Sequence, residues 1–200
     1  MSKQANLDYP IHELIAKRWS PVSFSDKQVS HDDLCSLFEA VRWAPSSYNE
    51  QPWRYIVATS EDPEAFRIAL ECLAEGNQVW AQYAPVLIFA LYSEKFARND
   101  KPNRAAQYDL GIAAGNLCTE ATSRGLNVHQ MIGLDPEKVR TAYRVPEDFS
   151  PLTALAVGYA GPREGIAEEV RARDETPRER NPISTFVFGG SWGERSKIVA

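Results

Sequence analysis

Ala44-Pro-Ser-Ser-Tyr-Asn-Glu-Gln-Pro-Trp53 is a loop by composition, and a β-prone run at residues 54–58 follows it without a break. Pro, Ser and Asn supply turn geometry, so the chain reverses here before it extends. Upstream, residues 30–41 read as a helix. Ser30 is placed to cap it, Asp33 sits where a capping box puts an acidic residue, and Leu34, Leu37, Phe38 and Val41 form one apolar stripe. Residues 8–17 read as a first helix, with Ile11, Leu14 and Ile15 on one face and Ser20-Pro21 ending it. A loop rich in hydroxyl and amide groups thus joins an amphipathic helix to a strand.

Downstream, a helix is expected at residues 63–73. The near-continuous apolar run at 85–92 predicts a central strand buried on both faces. Residues 95–103 are charged and contain Pro and Asn, and read as a mobile surface segment. A long helix follows at 105–124. Its Gly111 and Gly115 lie one turn apart and suggest close helix packing, because no strand and phosphate turn precedes them. Gly125 suits its C′ position. Strands at 126–132 and 152–159 enclose a short helix at 136–143. Helices and strands alternate with long connections between strands, which predicts an α+β, three-layer architecture. Residues 165–181 are of mixed charge and alone would be an exposed linker. They lead into the β-prone Ile183-Ser-Thr-Phe-Val-Phe-Gly189 and then Ser191-Trp-Gly193. A solvated arm ending in an apolar segment needs something to dock on, and a partner subunit would serve.

The 200 residues suit one domain, 1–200, with a core that buries roughly 70% of the unfolded surface. Hydrophobic residues make up 44% and charged residues 24%, as in an ordinary globular chain. A net charge of −5, without a basic and aromatic cluster, argues against nucleic-acid binding. Cys35, Cys72 and Cys118 are odd in number and each lies in an apolar periodic stretch, which points to small core residues in a reducing cytoplasm. No signal-peptide apolar region opens the chain, and residues 84–92 are too short to cross a bilayer. His12, His31 and His129 are scattered without metal-ligand spacing, so no metal site is expected. GxSxG, Walker A and GxGxxG patterns do not occur. Any phosphate held here must be gripped by side chains such as Arg and Ser.

Arg18-Trp-Ser-Pro-Val-Ser-Phe24 and the 44–53 loop together resemble the FMN-dependent nitroreductase family. Gly76-Asn-Gln-x-Trp80 before Ala84-Pro85, the small-residue helix, Ile132-Gly-Leu-Asp135, and Arg178-x-Arg180-x-Pro182 through Trp192-Gly193 have counterparts in order. The resemblance implies a nitroreductase-like fold, with a mixed, mostly antiparallel sheet flanked by helices. It also implies a homodimer in which residues 165–200 form an arm on the partner subunit. FMN would lie at the interface, NAD(P)H would be the electron donor, and a small molecule the acceptor. Arg18, Trp19 and Ser20, with Arg178 and Arg180, would hold the phosphate, which favours the bidentate Arg fork. Pro45, Ser46, Ser47, Asn49 and Gln51 would face the flavin and ribityl chain of the opposite subunit. Met131, Ile132 and Gly133 would pass over the ring and present a backbone N–H to N5, Gly133 allowing close approach.

No dedicated acid or base is demanded, although Tyr48, Tyr92 and Tyr108 are possible proton donors. One departure stands out, because the family often carries a basic residue where Val22 lies. A reduced flavin would then be less stabilised. The implied activity is ping-pong reduction of nitroaromatics, quinones or activated alkenes. A dehalogenase or oxidase of the same fold, or a non-catalytic dimeric flavin carrier, are the alternatives.

Overall fold

The computed structural model describes residues 3, 5–161 and 165–199; Met1 and Ala200, the ends of the expected domain, lie outside them. Four strands form one sheet in the order β1 (Trp53–Thr59), β2 (Val86–Ser93), β4 (Phe149–Gly158), β3 (Asn127–Met131). Every pairing is antiparallel, so the sheet is purely antiparallel among the described residues. β2 is central, as its unbroken apolar run requires. Successive side chains point to opposite faces. Leu87, Phe89 and Leu91 enter one core, and Val86, Ile88 and Ala90 enter the other. The register slips between Ala90 and Leu91, where β4 carries Pro151. Proline cannot donate to a ladder and is tolerated at such a bulge.

The second core is covered by α2 (His31–Arg42) and α5 (Ala106–Ser123), whose Leu37, Val41, Leu110 and Leu117 are buried. The first is covered by α3 (Pro63–Glu71), α4 (Glu75–Ala81), α6 (Pro136–Tyr143) and α7 (Glu168–Glu175). The result is three layers of an α+β fold. Ser30 caps α2 as expected, its hydroxyl accepting from the Asp33 N–H at 3.1 Å and donating to the Asp33 carboxylate at 2.7 Å. Gly125 follows α5 at φ +72°.

Several expectations need correction. The first helix, α1, is only Glu13–Lys17, because Pro10 disfavours a helical residue before it and His12 caps the turn. The 95–103 segment is a folded turn rather than a free one, with Lys95 bridging to Pro102. Gly111 and Gly115 make no close packing among the described residues, since a Cβ at either would meet nothing within 4 Å. Cys35 is exposed on α2, whereas Cys72 and Cys118 are buried. Residues 165–181, though mostly exposed, are not a free linker: they contain α7, and Ile166 and Val170 enter the first core of their own subunit. Ile183–Thr185 is a 3-10 turn rather than a strand, and beyond it Phe188 bridges to Arg195. No described helix is long and apolar enough to cross a membrane.

Candidate cofactor site

α1 ends at Lys17, and the extended segment after it carries Arg18 to Phe24 across the edge of the sheet. Phe24 bridges to Ala160, and the His129 ring of β3 hydrogen-bonds the Pro21 carbonyl at 2.8 Å. α7 and the chain after it return to this segment from the far end of the sequence. An open cavity of about 150 Å³ results, lined by Lys3, Arg18, Trp19, Ser20, Arg173, Asp174, Arg178 and Arg180. All five residues expected at the phosphate are therefore brought together. Lys3, Arg173 and Asp174 join them without any sequence signal beyond their charge.

The cavity is strongly cationic. Among the described residues, none of its four arginines forms an ion pair with a carboxylate. Arg18 donates to the Ser20 hydroxyl at 3.2 Å. Arg178 donates to the Lys3 and Ala16 carbonyls, both at 2.7 Å, so backbone oxygens hold its guanidinium in place. Burial, with the neighbouring Arg18 and Arg180 charges, pushes its pKa below the ordinary arginine value. Asp174 is the single carboxylate among the described lining residues, and its two oxygens accept from the Val22 and Ser23 N–H groups at 2.9 Å each. It holds backbone rather than cancelling the arginines. Trp19 is buried, with Lys3 Nζ 5.5 Å from its ring centroid. Val22 is also buried, its side chain in the core beside Phe24. An arginine introduced there would bury a charge before it could reach a cofactor.

The 44–53 loop lies elsewhere on the subunit. Pro45 is exposed, Ser46 and Ser47 are half-buried, and none of Pro45, Ser46, Ser47, Asn49 or Gln51 shares the cationic cavity. The loop is strained, since Tyr48, Asn49 and Gln51 have φ of +56°, +57° and +51°. Left-handed backbone at non-glycine residues costs energy and persists only where surroundings impose it. Ser46 Oγ accepts from the Gln51 N–H at 3.0 Å, and the Gln51 amide donates to the Asn49 carbonyl at 3.0 Å. Asp109, in the first turn of α5 and 2% exposed, accepts from the Ser47 N–H at 3.0 Å. The sequence reading missed this tether, which spans 62 positions.

The third group lies at the end of β3. Met131 points into the core, so only its backbone can face a ligand. Ile132 is 85% exposed. Gly133 is needed for packing: a Cβ there would lie 2.6 Å from Asn77 Nδ2, and its carbonyl accepts from the Asn77 amide and the Ala74 N–H. Among the described residues the Ile132 and Gly133 N–H groups make no hydrogen bond. Next to them, Gln107, Leu110, Gly111, Ala114, Gln130 and Ile132 help to line an open cleft of about 260 Å³.

The nitroreductase family model matches residues 15–79 and 61–159. This chain belongs to the nitroreductase family. The match contains the Arg18-x-Ser20 segment, the 44–53 loop and the end of β3, but stops before Arg173, Arg178 and Arg180. An uncharacterised 15.4 kDa protein of Mycolicibacterium smegmatis is 35% identical over 130 residues, covering 65% of this chain and 86% of that relative. A Streptomyces coelicolor protein with the provisional name NADH dehydrogenase/NAD(P)H nitroreductase is 24% identical over 159 residues, 70% of this chain and 80% of its own. A crystal structure of an oxidoreductase containing FMN superposes with a TM-score of 0.87 at 29% identity, covering 95% of this chain and 96% of that one. That nitroreductase fold therefore includes the C-terminal segment that the family model leaves out.

Proposed function

We propose that this nitroreductase-family chain is an FMN-dependent oxidoreductase that takes electrons from NAD(P)H. The observation that carries the reading is the cationic cavity. A phosphate monoester bears nearly two negative charges, and Arg18, Arg173, Arg178 and Arg180 have no competing carboxylate partner among the described residues. The residues present therefore fit the FMN phosphate. Arg18, Ser20, Arg178 and Arg180 would grip it, while Lys3 adds charge and Trp19 an apolar floor. The unused N–H groups of Ile132 and Gly133 would serve the flavin ring, with Met131 contributing backbone alone.

When bound, FMN supplies hydride acceptance from NAD(P)H and hydride delivery to a nitroaromatic, quinone or activated alkene in ping-pong order. The chain's own part is to bind and orient. Pro45, Ser46, Ser47, Asn49 and Gln51 would complete the site across a homodimer interface, which accounts for their distance from the phosphate clasp. The uncovered glycines of α5, exposed Ile132 and exposed Tyr108 form a surface that a second copy would cover. Phe186, Trp192 and Ile198 are likewise exposed and belong to the end of the proposed 165–200 arm. Residues 1–200 would then act as one domain whose arm starts on its own subunit and ends on the partner.

Anaerobic addition of NADH or NADPH to the FMN-loaded protein tests the reading. The visible flavin band should bleach and return when an acceptor is added, and sedimentation should give twice the chain mass. A bound flavin that stays oxidised would overturn the enzymatic reading, and a monomer would overturn the shared site.

A further inference from the structure

Residues 95–103 form a compact turn seated on the strained loop. Phe96 N–H donates to the Lys101 carbonyl at 2.9 Å, and Asn103 N–H donates to the Glu94 carbonyl at 2.7 Å. Lys95 Nζ lies 2.9 Å from the Asp148 carboxylate, which anchors the base of the turn to the start of β4. At the tip, Asp100 adopts φ +58°. The Ala97 N–H donates to the Glu50 carboxylate, joining the turn to the 44–53 loop. Phe96 meets the Tyr48 ring edge-on, with centroids 6.0 Å apart and planes at 83°. Arg98 lies over both rings, its guanidinium carbon 3.9 Å from the Tyr48 centroid and 5.2 Å from that of Phe96.

Two features make this more than a surface contact. Tyr48 is 74% exposed although its backbone is held at positive φ, so the loop spends strain to present an aromatic ring outward. Arg98 forms no ion pair among the described residues, and Glu50, the nearest carboxylate on the loop, already accepts from Ala97. A guanidinium stacked on a ring keeps its in-plane N–H donors free for an oxyanion.

We propose that Arg98, stacked on Tyr48 and Phe96, is a specificity-determining residue that binds the anionic group of a substrate at the mouth of the site. The proposal rests on the functional reading above, in which the 44–53 loop faces the flavin. The chemistry it recognises is an oxyanion on a molecule with a planar ring. That anion has two sources in this reaction: a carboxylate on an aromatic acceptor, or the additional phosphate that distinguishes NADPH from NADH.

The test compares wild type, Arg98→Ala and Arg98→Lys, each as the full chain loaded with FMN. One arm sets NADPH against NADH. The other sets para-nitrobenzoate against para-nitrobenzyl alcohol. In Arg98→Ala the ratio of kcat/KM values, anionic over neutral, should fall about tenfold in one arm and do so through KM, the size of a charge-assisted contact at an exposed position. Which arm changes identifies the source of the anion. Arg98→Lys should recover part of the ratio, since it keeps the charge but loses the planar stack. If Arg98 only staples the turn to the loop, both members of each pair will suffer alike. Unchanged ratios in both arms would therefore overturn the proposal while bleaching by NAD(P)H still supports the oxidoreductase reading. A flavin band that does not bleach would overturn both.

Discussion

Asp174→Ala sets two effects of opposite sign against each other in the proposed phosphate clasp. Its carboxylate adds a negative charge where a phosphate is proposed to bind, so removing it relieves repulsion. Across a wet, open cleft that relief is on the order of 1 kcal/mol. The same carboxylate accepts two backbone N–H groups at 2.9 Å, from Val22 and Ser23, both of which are buried. A buried donor left unmade costs about 1–3 kcal/mol, and partial entry of water at half-buried Asp174 keeps the pair near 2–4 kcal/mol. Scaffolding should win. The FMN-free variant is expected to melt roughly 4–16 °C lower than wild type, given about 2–4 °C per kcal/mol for a chain this long. Its FMN affinity, titrated by fluorescence at fixed ionic strength, should fall severalfold because α7 no longer holds the Arg18 segment. Asp174→Asn keeps one acceptor oxygen and should lose about half as much. An unchanged melting temperature together with tighter FMN binding would show that Asp174 acts as a charge and not as a tether.

Asp109→Ala removes the acceptor for Ser47 N–H and should destabilise the protein by about 1.5–3 kcal/mol, whereas Asp109→Asn, which still accepts, should lose much less. Equal melting temperatures for the two variants would refute the tether. His129 is held below the usual histidine pKa, chiefly by burial and against the opposing pull of the Pro21 carbonyl. The unfolded state then binds the proton first, so stability is complete above the ordinary value of 6.5 and declines as pH falls below it. Urea unfolding of wild type and His129→Gln between about pH 8 and about pH 5.5 checks this, and the variant should show the shallower decline. Parallel pH profiles would exclude His129 as the titrating group.

The elements that the sequence alone determined are those whose signals are local. Ser30 and Asp33 mark the start of α2, Pro63 and Pro136 sit at the first turns of α3 and α6, and Gly125 closes α5. The apolar run of β2 announced burial on both faces, because each face must meet its own layer. Arg18, Ser20, Arg178 and Arg180, which line one cavity, were grouped beforehand through the family resemblance alone, since nothing local shows that positions so far apart meet. α4 was missed because Ala74 offers no capping side chain, and α7 because its polar sequence carries one buried residue, Val170, with Ile166 buried just before the helix. Tertiary structure alone decided the strand order, the use of Asp174 and Asp109 as tethers, and the seating of the 95–103 turn on Tyr48. Each depends on contacts between distant segments, such as Asp174 with Val22 across 152 positions, whose geometry exists only after the sheet and both helical layers have closed. Local propensity carries no record of such contacts, so Asp174, in a run that read as a solvated linker, became part of the framework of the candidate site.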